Sequence, residues 1–294
     1  MAAEVSFPID TPHGRRTVSA VYHREGSGSP LLLLHGIGHH WQAWQPVLPA
    51  LAERHDVIAV DLPGFGASPA LPAGASYQLG SVVPLLGRVC ADLGIERPHV
   101  AGNSLGGLLA LELGRSGLAR SVTALSPAGF WKPWERRYAF AVLLSMRAGA
   151  RTLPVGVAER LADRPGGRAV LLGSIYARPG RRTRAEALAE TAALRSATGF
   201  GPTLAAGRDV RFTGDVPDVP VTIGWGTGDR LLLPRQAART LLEIPRARLV
   251  PLPGCGHVPM NDDPGLVADT ILTTCAEAEA AETRARAART PAQG

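Results

Sequence analysis

Residues 98–113 read PHVAGNSLGGLLALEL. A short apolar run comes first, then a serine between glycines, then leucines at helical spacing. Residues 102–106, Gly-Asn-Ser-Leu-Gly, match the pattern G-x-S-x-G. Alone that pattern is weak, because its residue types are common. Between a strand and a helix it predicts a sharp turn that pushes the Ser104 side chain out at the C-terminal edge of a sheet. Gly102 and Gly106 leave room where the backbone folds back on itself. The helix that follows aims its free N–H groups and positive dipole end at the same point. Ser104 is the candidate nucleophile, at the edge where open α/β sheets bind ligands.

Outward from this stretch the same buried run recurs, in PLLLLHG (30–36), VIAVDLPG (57–64), SVTALSP (121–127), VTIGWG (221–226) and ARLVPLPG (247–254). Helical patterns over Gln78–Leu93, Leu105–Leu118, Pro234–Ile244 and Pro264–Ala276 separate several of them. Buried strands alternating with helices predict a mostly parallel sheet covered on both faces. At the start, EVSFPI and RTVSAVYH alternate apolar and polar residues around DTPHGR, which predicts an antiparallel hairpin. The alternation breaks over residues 128–218, which read as several helices without a buried strand. A block of that length between two strands is expected to be a helical cap inserted into a core formed by 1–127 and 219–278. Residues 279–294 have almost no large apolar side chains and are expected to form a flexible tail, extending the last helix before it frays.

A serine hydroxyl needs an adjacent base. His257, in the loop Gly-Cys-Gly-His after the last apolar run, is the best placed of eight histidines. A carboxylate must hold that base in one tautomer. Asp229, in the turn Gly-Thr-Gly-Asp-Arg after VTIGWG, fits, with Asp61 as its rival. Asp262 and Asp263 follow the histidine closely and are read as the start of the final helix. The order Ser104, Asp229, His257 is the order of the strand–turn–helix nucleophile fold. Oxyanion donors are expected from the backbone N–H of Leu105 and, in the loop after PLLLLHG, of Ile37. His39 and His40 just beyond are read as a solvated loop pair. A free histidine titrates at about 6.5, so activity should fall as pH drops through that region.

Composition sets bounds. The chain has 294 residues, 45% hydrophobic and 19% charged, enough apolar residues for a large core. The net charge is +6, nearly all from arginine, with Lys132 the only lysine. No basic run interleaves with aromatics, so no nucleic-acid partner is expected. Cys90, Cys255 and Cys275 are few and widely spaced, implying neither a disulfide framework nor zinc spacing. No signal peptide or membrane span is visible. A soluble, cytoplasmic protein is expected, with a small-molecule substrate, no cofactor, no metal and no membrane partner. Oligomeric state is left open.

Taken together, LLLLHGIG, VDLPGFGAS, VAGNSLGG, WGTGDRLLLP and PGCGHVPMNDDP resemble the α/β-hydrolase superfamily. The resemblance spans both flanks of the chain and leaves only 128–218 unassigned. It implies an α/β-hydrolase fold with Ser104, Asp229 and His257 as triad, Ile37 and Leu105 at the oxyanion hole, and a lid over the sheet. GNSLGG is similar to the elbow of carbon–carbon bond hydrolases, but GIGHHWQAW lacks their Gly-Pro-Gly element, and Val258 stands where they carry tryptophan. Epoxide hydrolases and haloalkane dehalogenases have aspartate in place of Ser104. An esterase, lactonase, thioesterase or perhydrolase-like relative is therefore expected to act on a small apolar substrate. A carbon–carbon hydrolase with the same triad and a non-catalytic binding protein are the alternatives. Trp44, Phe65, Phe130, Trp131, Trp134 and Val258 are candidates to line its pocket.

Overall fold

The structure is a computed structural model and describes residues 2–289. Eight strands form one sheet: β1 (Ala3–Thr11), β2 (Gly14–Gly26), β3 (Ser29–Leu34), β4 (His55–Val60), β5 (His99–Asn103), β6 (Ser121–Leu125), β7 (Val221–Gly226) and β8 (Arg248–Leu252). Their spatial order is β1-β2-β4-β3-β5-β6-β7-β8. The expected hairpin is present as β1 and β2, and β2 pairs antiparallel with β4. Every other pairing is parallel. Leu31–Leu34, Val57–Val60 and the whole of β5, β6 and β7 are buried, as expected of central strands covered on both faces.

Ten helices are described: α1 (Leu48–Ala52), α2 (Leu79–Asp92), α3 (Leu105–Arg115), α4 (Pro133–Thr152), α5 (Val155–Ala162), α6 (Pro165–Leu172), α7 (Arg184–Ser196), α8 (Phe200–Ala206), α9 (Ala237–Glu243) and α10 (Pro264–Arg289). Helices α4–α8 all lie between β6 and β7 in the chain, where the strand–helix alternation breaks.

The strand order places the site. The chain runs from β3 to β4 on one side, and β5 then pairs on the other side of β3. The loops leaving β3 and β5 therefore diverge and open a crevice at the strands' C-terminal ends. Ile37 and Ser104 stand on those two loops.

Residues 279–289 of the expected tail continue α10 to Arg289. Alanine-rich sequence favours helix, and polar contacts anchor this stretch to the sheet. Glu279 accepts the Ser29 hydroxyl at 2.5 Å and lies 3.4 Å from His99 Nε2, while Glu282 pairs with Arg120 at 3.3 Å. Residues 290–294 of that expectation lie outside the described residues.

Candidate active site

Ser104 sits between β5 and α3 at φ 58°, ψ −113°. A side chain in this left-handed region is strained by about 1–3 kcal/mol, so surrounding contacts must hold it. Its N–H donates to Leu125 O at 2.9 Å, and its carbonyl accepts the Leu108 and Ala128 N–H groups at 3.0 and 3.1 Å. The two flanking glycines are required by close approach. A Cβ on Gly102 would stand 2.0 Å from Gly106 O, and one on Gly106 would stand 2.0 Å from Leu34 O. These approaches pack α3 against β3 and turn the serine side chain outward.

His257 and Asp229 come together as the sequence predicts. The His257 Nδ1 lies 2.8 Å from Asp229 Oδ2. The other Asp229 oxygen accepts the N–H groups of Leu231 and Leu232 at 2.9 and 2.8 Å, so the carboxylate is fixed from both sides. An ionised Asp229 makes Nδ1 the protonated nitrogen and leaves Nε2 as a lone-pair acceptor. His257 Nε2 is buried and has no hydrogen-bond partner among the described residues. Ser104, His257, Gly36, Ile37 and Gly38 line one cavity of ≈ 650 Å³. A Cβ on Gly36 would lie 3.2 Å from the Ser104 Cβ, so the β3 loop backbone passes beside the serine. Leu105 opens α3, where the first N–H groups of a helix have no intrahelical acceptor. Asp61, the rival carboxylate, is engaged elsewhere: it accepts Trp41 and Ala67 N–H groups at 2.6 and 2.8 Å.

Four candidate pocket residues, Trp44, Phe65, Phe130 and Trp134, are corrected, since none lines the main cavity or its neighbour. Trp44 is fully buried in the core, because its large apolar surface gains most there. Phe130 is buried against Phe212, with ring centroids 5.3 Å apart. Trp134 is exposed with Arg235 over its ring, and it lines neither the main cavity nor its neighbour. Phe65 is likewise buried, edge-on to His35. Val258 does line the main cavity. Trp131 lines a smaller apolar cleft that also reaches Ser104, Ile37 and Leu105, and its indole N–H donates to Val210 O at 3.0 Å.

Most of the cavity wall comes from α4 to α7, including Val142, Met146, Leu171 and Leu194, with Ile175 from the loop after α6. Its polar contributors include His39, Ser145, Ser174, Glu190 and Thr191. His39 lines it and buries an unpartnered Nδ1, so the expected solvated loop pair is corrected. Burial, then repulsion from His40, His35, His257 and Arg182, holds His39 well below the usual histidine range. His40 is buried and bonded to Gln42. Glu190 of α7 also lines the cavity, with Arg182 donating to its Oε1. Burial pushes the Glu190 carboxyl up, and Arg182 opposes that shift.

Two positioning residues escape the sequence reading. The Asn103 amide donates to Leu125 O at 3.1 Å and to His257 O at 2.8 Å, tying the serine turn to the histidine loop. A polar residue closing a buried strand is the only signal for it. Asp262 accepts three N–H groups, from Ala177 at 3.0 Å, Arg178 at 2.8 Å and Gly256 at 2.8 Å. It joins the segment after α6 to the loop carrying His257. Asp263, its neighbour, does cap the final helix through the Leu266 N–H at 3.1 Å.

Comparison with known proteins bears on the family and the fold. The model of the "Alpha/beta hydrolase family" matches residues 31–270. An uncharacterized protein of Mycobacterium tuberculosis is 30% identical over 285 residues, covering 92% of this chain and 81% of its own. The epoxide hydrolase EphH of the same organism is 32% identical over 192 residues, covering 62% of this chain and 87% of its own. Among solved structures, the naproxen esterase of Bacillus subtilis superposes with a TM-score of 0.72 at 23% identity, covering 92% of this chain and 91% of the esterase.

Proposed function

Since the chain belongs to the alpha/beta hydrolase family, we propose that it hydrolyses a carboxylic ester, lactone or thioester of an apolar acid by acyl transfer through Ser104, His257 and Asp229. One observation carries this reading: Ser104, at its strained turn, and His257, whose Nε2 has no partner among the described residues, line one cavity, with Asp229 bonded to the other nitrogen of the imidazole.

In the first step His257 Nε2 takes the Ser104 hydroxyl proton as the oxygen attacks the substrate carbonyl. The new oxyanion accepts hydrogen bonds from the Ile37 and Leu105 N–H groups, each worth about 10²–10³ in rate by analogy with other oxyanion holes. The tetrahedral intermediate then collapses, and the leaving alcohol or thiol departs with the proton from His257. Water repeats the sequence on the acyl-serine: His257 takes its proton, the acid leaves, and Ser104 recovers its hydrogen. Asp229 stays ionised and holds the imidazolium. The α4–α8 insertion acts as the cap, supplying the apolar wall for the acyl chain and excluding water.

Chemistry separates this reading from its neighbours. A serine that opened an epoxide would become a simple ether, with no carbonyl for water to attack, and the enzyme would not turn over. The carbon–carbon hydrolase alternative requires an acidic dione to be held. Here Arg182 is already paired with Glu190, which supports a neutral substrate.

Steady-state hydrolysis of nitrophenyl esters of increasing acyl length, set against a vinylogous diketone acid, tests the proposal. Ester turnover that rises with chain length and is lost in Ser104→Ala is expected. Turnover of the diketone acid alone would overturn it, as would ester turnover undiminished in Ser104→Ala.

A further inference from the structure

The positive charge is not spread over this chain. Residues 128–218 hold 15 arginines and lysines against 8 aspartates and glutamates, while the rest of the chain holds 16 against 17. The whole excess therefore lies in the insertion. The same segment carries six of the eight exposed large hydrophobic side chains: Trp134, Tyr138, Leu144, Val155, Val157 and Val170. Both properties concentrate on the part of the molecule that covers the cavity.

The cavity opens through this surface. Tyr138, Ala141, Ser145 and Thr152 of α4 and Val170 of α6 are exposed and also line it. Several of the insertion's arginines are engaged internally. Arg147, Arg168 and Arg195 donate to backbone carbonyls, Arg182 pairs with Glu190, and Arg184 pairs with Asp163. By contrast, Arg137, Arg151, Arg160, Arg164 and Arg181 are exposed and make no ion pair among the described residues. Free guanidinium groups on the same segment as the exposed Leu144, Val155, Val157 and Val170 suit one environment above others. Aliphatic side chains can enter the headgroup boundary of a lipid layer while the guanidinium groups meet its phosphates.

We propose that the outer face of α4–α6 docks on an anionic phospholipid surface, and that the cavity draws its ester substrate from that surface. The docking stands apart from acyl transfer; the lipid-ester clause rests on the hydrolase reading above. The expectation of no membrane partner rests on the absence of a spanning apolar run, which does not bear on docking at the surface. Attraction acts within about a Debye length, so the local excess decides. A second copy meeting face to face would bring two basic surfaces together, which opposes it.

Cosedimentation of the full chain with phosphatidylcholine vesicles, with and without phosphatidylglycerol, tests the docking without requiring turnover. Wild-type protein is expected to pellet only with the anionic vesicles at about 0.15 M salt and to be released at about 1 M, where the Debye length falls from roughly 8 to 3 Å. Each basic residue near such a surface contributes roughly a fivefold factor. Arg160→Glu with Arg164→Glu should thus weaken partitioning by about 25-fold or more. Val155→Asp with Val157→Asp should also release the protein. None of these four residues lines the cavity, so all variants should keep the wild-type rate on a water-soluble nitrophenyl ester, and retained activity reports intact folding. Ser104→Ala should bind vesicles as wild type does, which separates failure of the hydrolase reading from failure of docking. Wild-type protein remaining in the supernatant with every vesicle would overturn the proposal, as would wild-type binding by both double variants. A concentration-dependent dimer that Arg160→Glu with Arg164→Glu dissociates would assign the face to a second copy and overturn it as well.

Discussion

Replacing Asp262 by asparagine conserves volume and removes one acceptor from a carboxylate that is only 4% exposed. The carboxylate's Oδ2 serves Ala177 and Gly256, and its Oδ1 serves Arg178. The asparagine oxygen can replace Oδ2, leaving its NH₂ facing the Arg178 N–H with no acceptor between them. A hydrogen bond to a charged group is worth about 1.5–3 kcal/mol net, and a neutral one roughly half as much. Losing one and weakening two gives a destabilisation of about 3 kcal/mol. The Val258 N–H still reaches Ile175 O at 3.0 Å, so the histidine loop should loosen rather than detach. A displacement approaching 1 Å of a catalytic group can cost about 100-fold in rate, and about tenfold in kcat/KM is expected here. Urea unfolding and ester kinetics on the same preparation measure both quantities. A stability loss under about 0.5 kcal/mol together with unchanged kcat/KM would show that Asp262 does not couple the insertion to the histidine loop, since the one lost bond alone should exceed that value.

Asp229→Asn should leave the fold intact and lower kcat by about 10⁴, because the amide no longer selects the Nδ1–H tautomer of His257; a loss under tenfold in pre-steady-state acylation would contradict this. Asn103→Ala removes the donor to both Leu125 O and His257 O and should cost about 1–3 kcal/mol in chemical denaturation. A neutral result there would mean that water replaces the amide. His35 accepts the Leu62 N–H through Nε2, so its Nδ1–H donates to Gly36 O. Burial, opposed by Asp61, pushes its pKa down from 6.5 to about 4. The unfolded chain thus takes up this proton first. The contribution is complete above about pH 6.5 and is lost as pH falls toward about 4, amounting to roughly 3 kcal/mol. His35→Gln should flatten the stability profile across that window relative to wild type, and parallel profiles would refute the assignment.

Ser104, Asp229 and His257 were legible in the sequence because each follows a buried apolar run and sits among glycines. The three turns mark themselves, and the strand order brings them to one edge. The cavity was not legible in the same way. Its wall comes from α4–α7, whose facing residues are separated by turns with no periodic signature. Aromatic size misled at Trp44 and Phe130, since bulky apolar side chains are drawn to whatever site removes most surface from water, and here that is the core. The roles of Asn103 and Asp262 were not legible, because the partners that define them, His257 and Ala177, lie 154 and 85 positions away in the chain. Charge was legible in total but not in place: only the fold shows that the basic, apolar-studded segment is the one around the cavity mouth.

The central claim is that the 104 hydroxyl is activated by the 257 imidazole inside the cavity. Treatment with a fluorophosphonate, followed by mass mapping of the adduct, tests it most directly. One phosphonate per chain on the Ser104 peptide is predicted, with labelling abolished in Ser104→Ala and slowed at least a hundredfold in His257→Ala. An adduct on any other residue, or equal labelling with and without the imidazole, would contradict it.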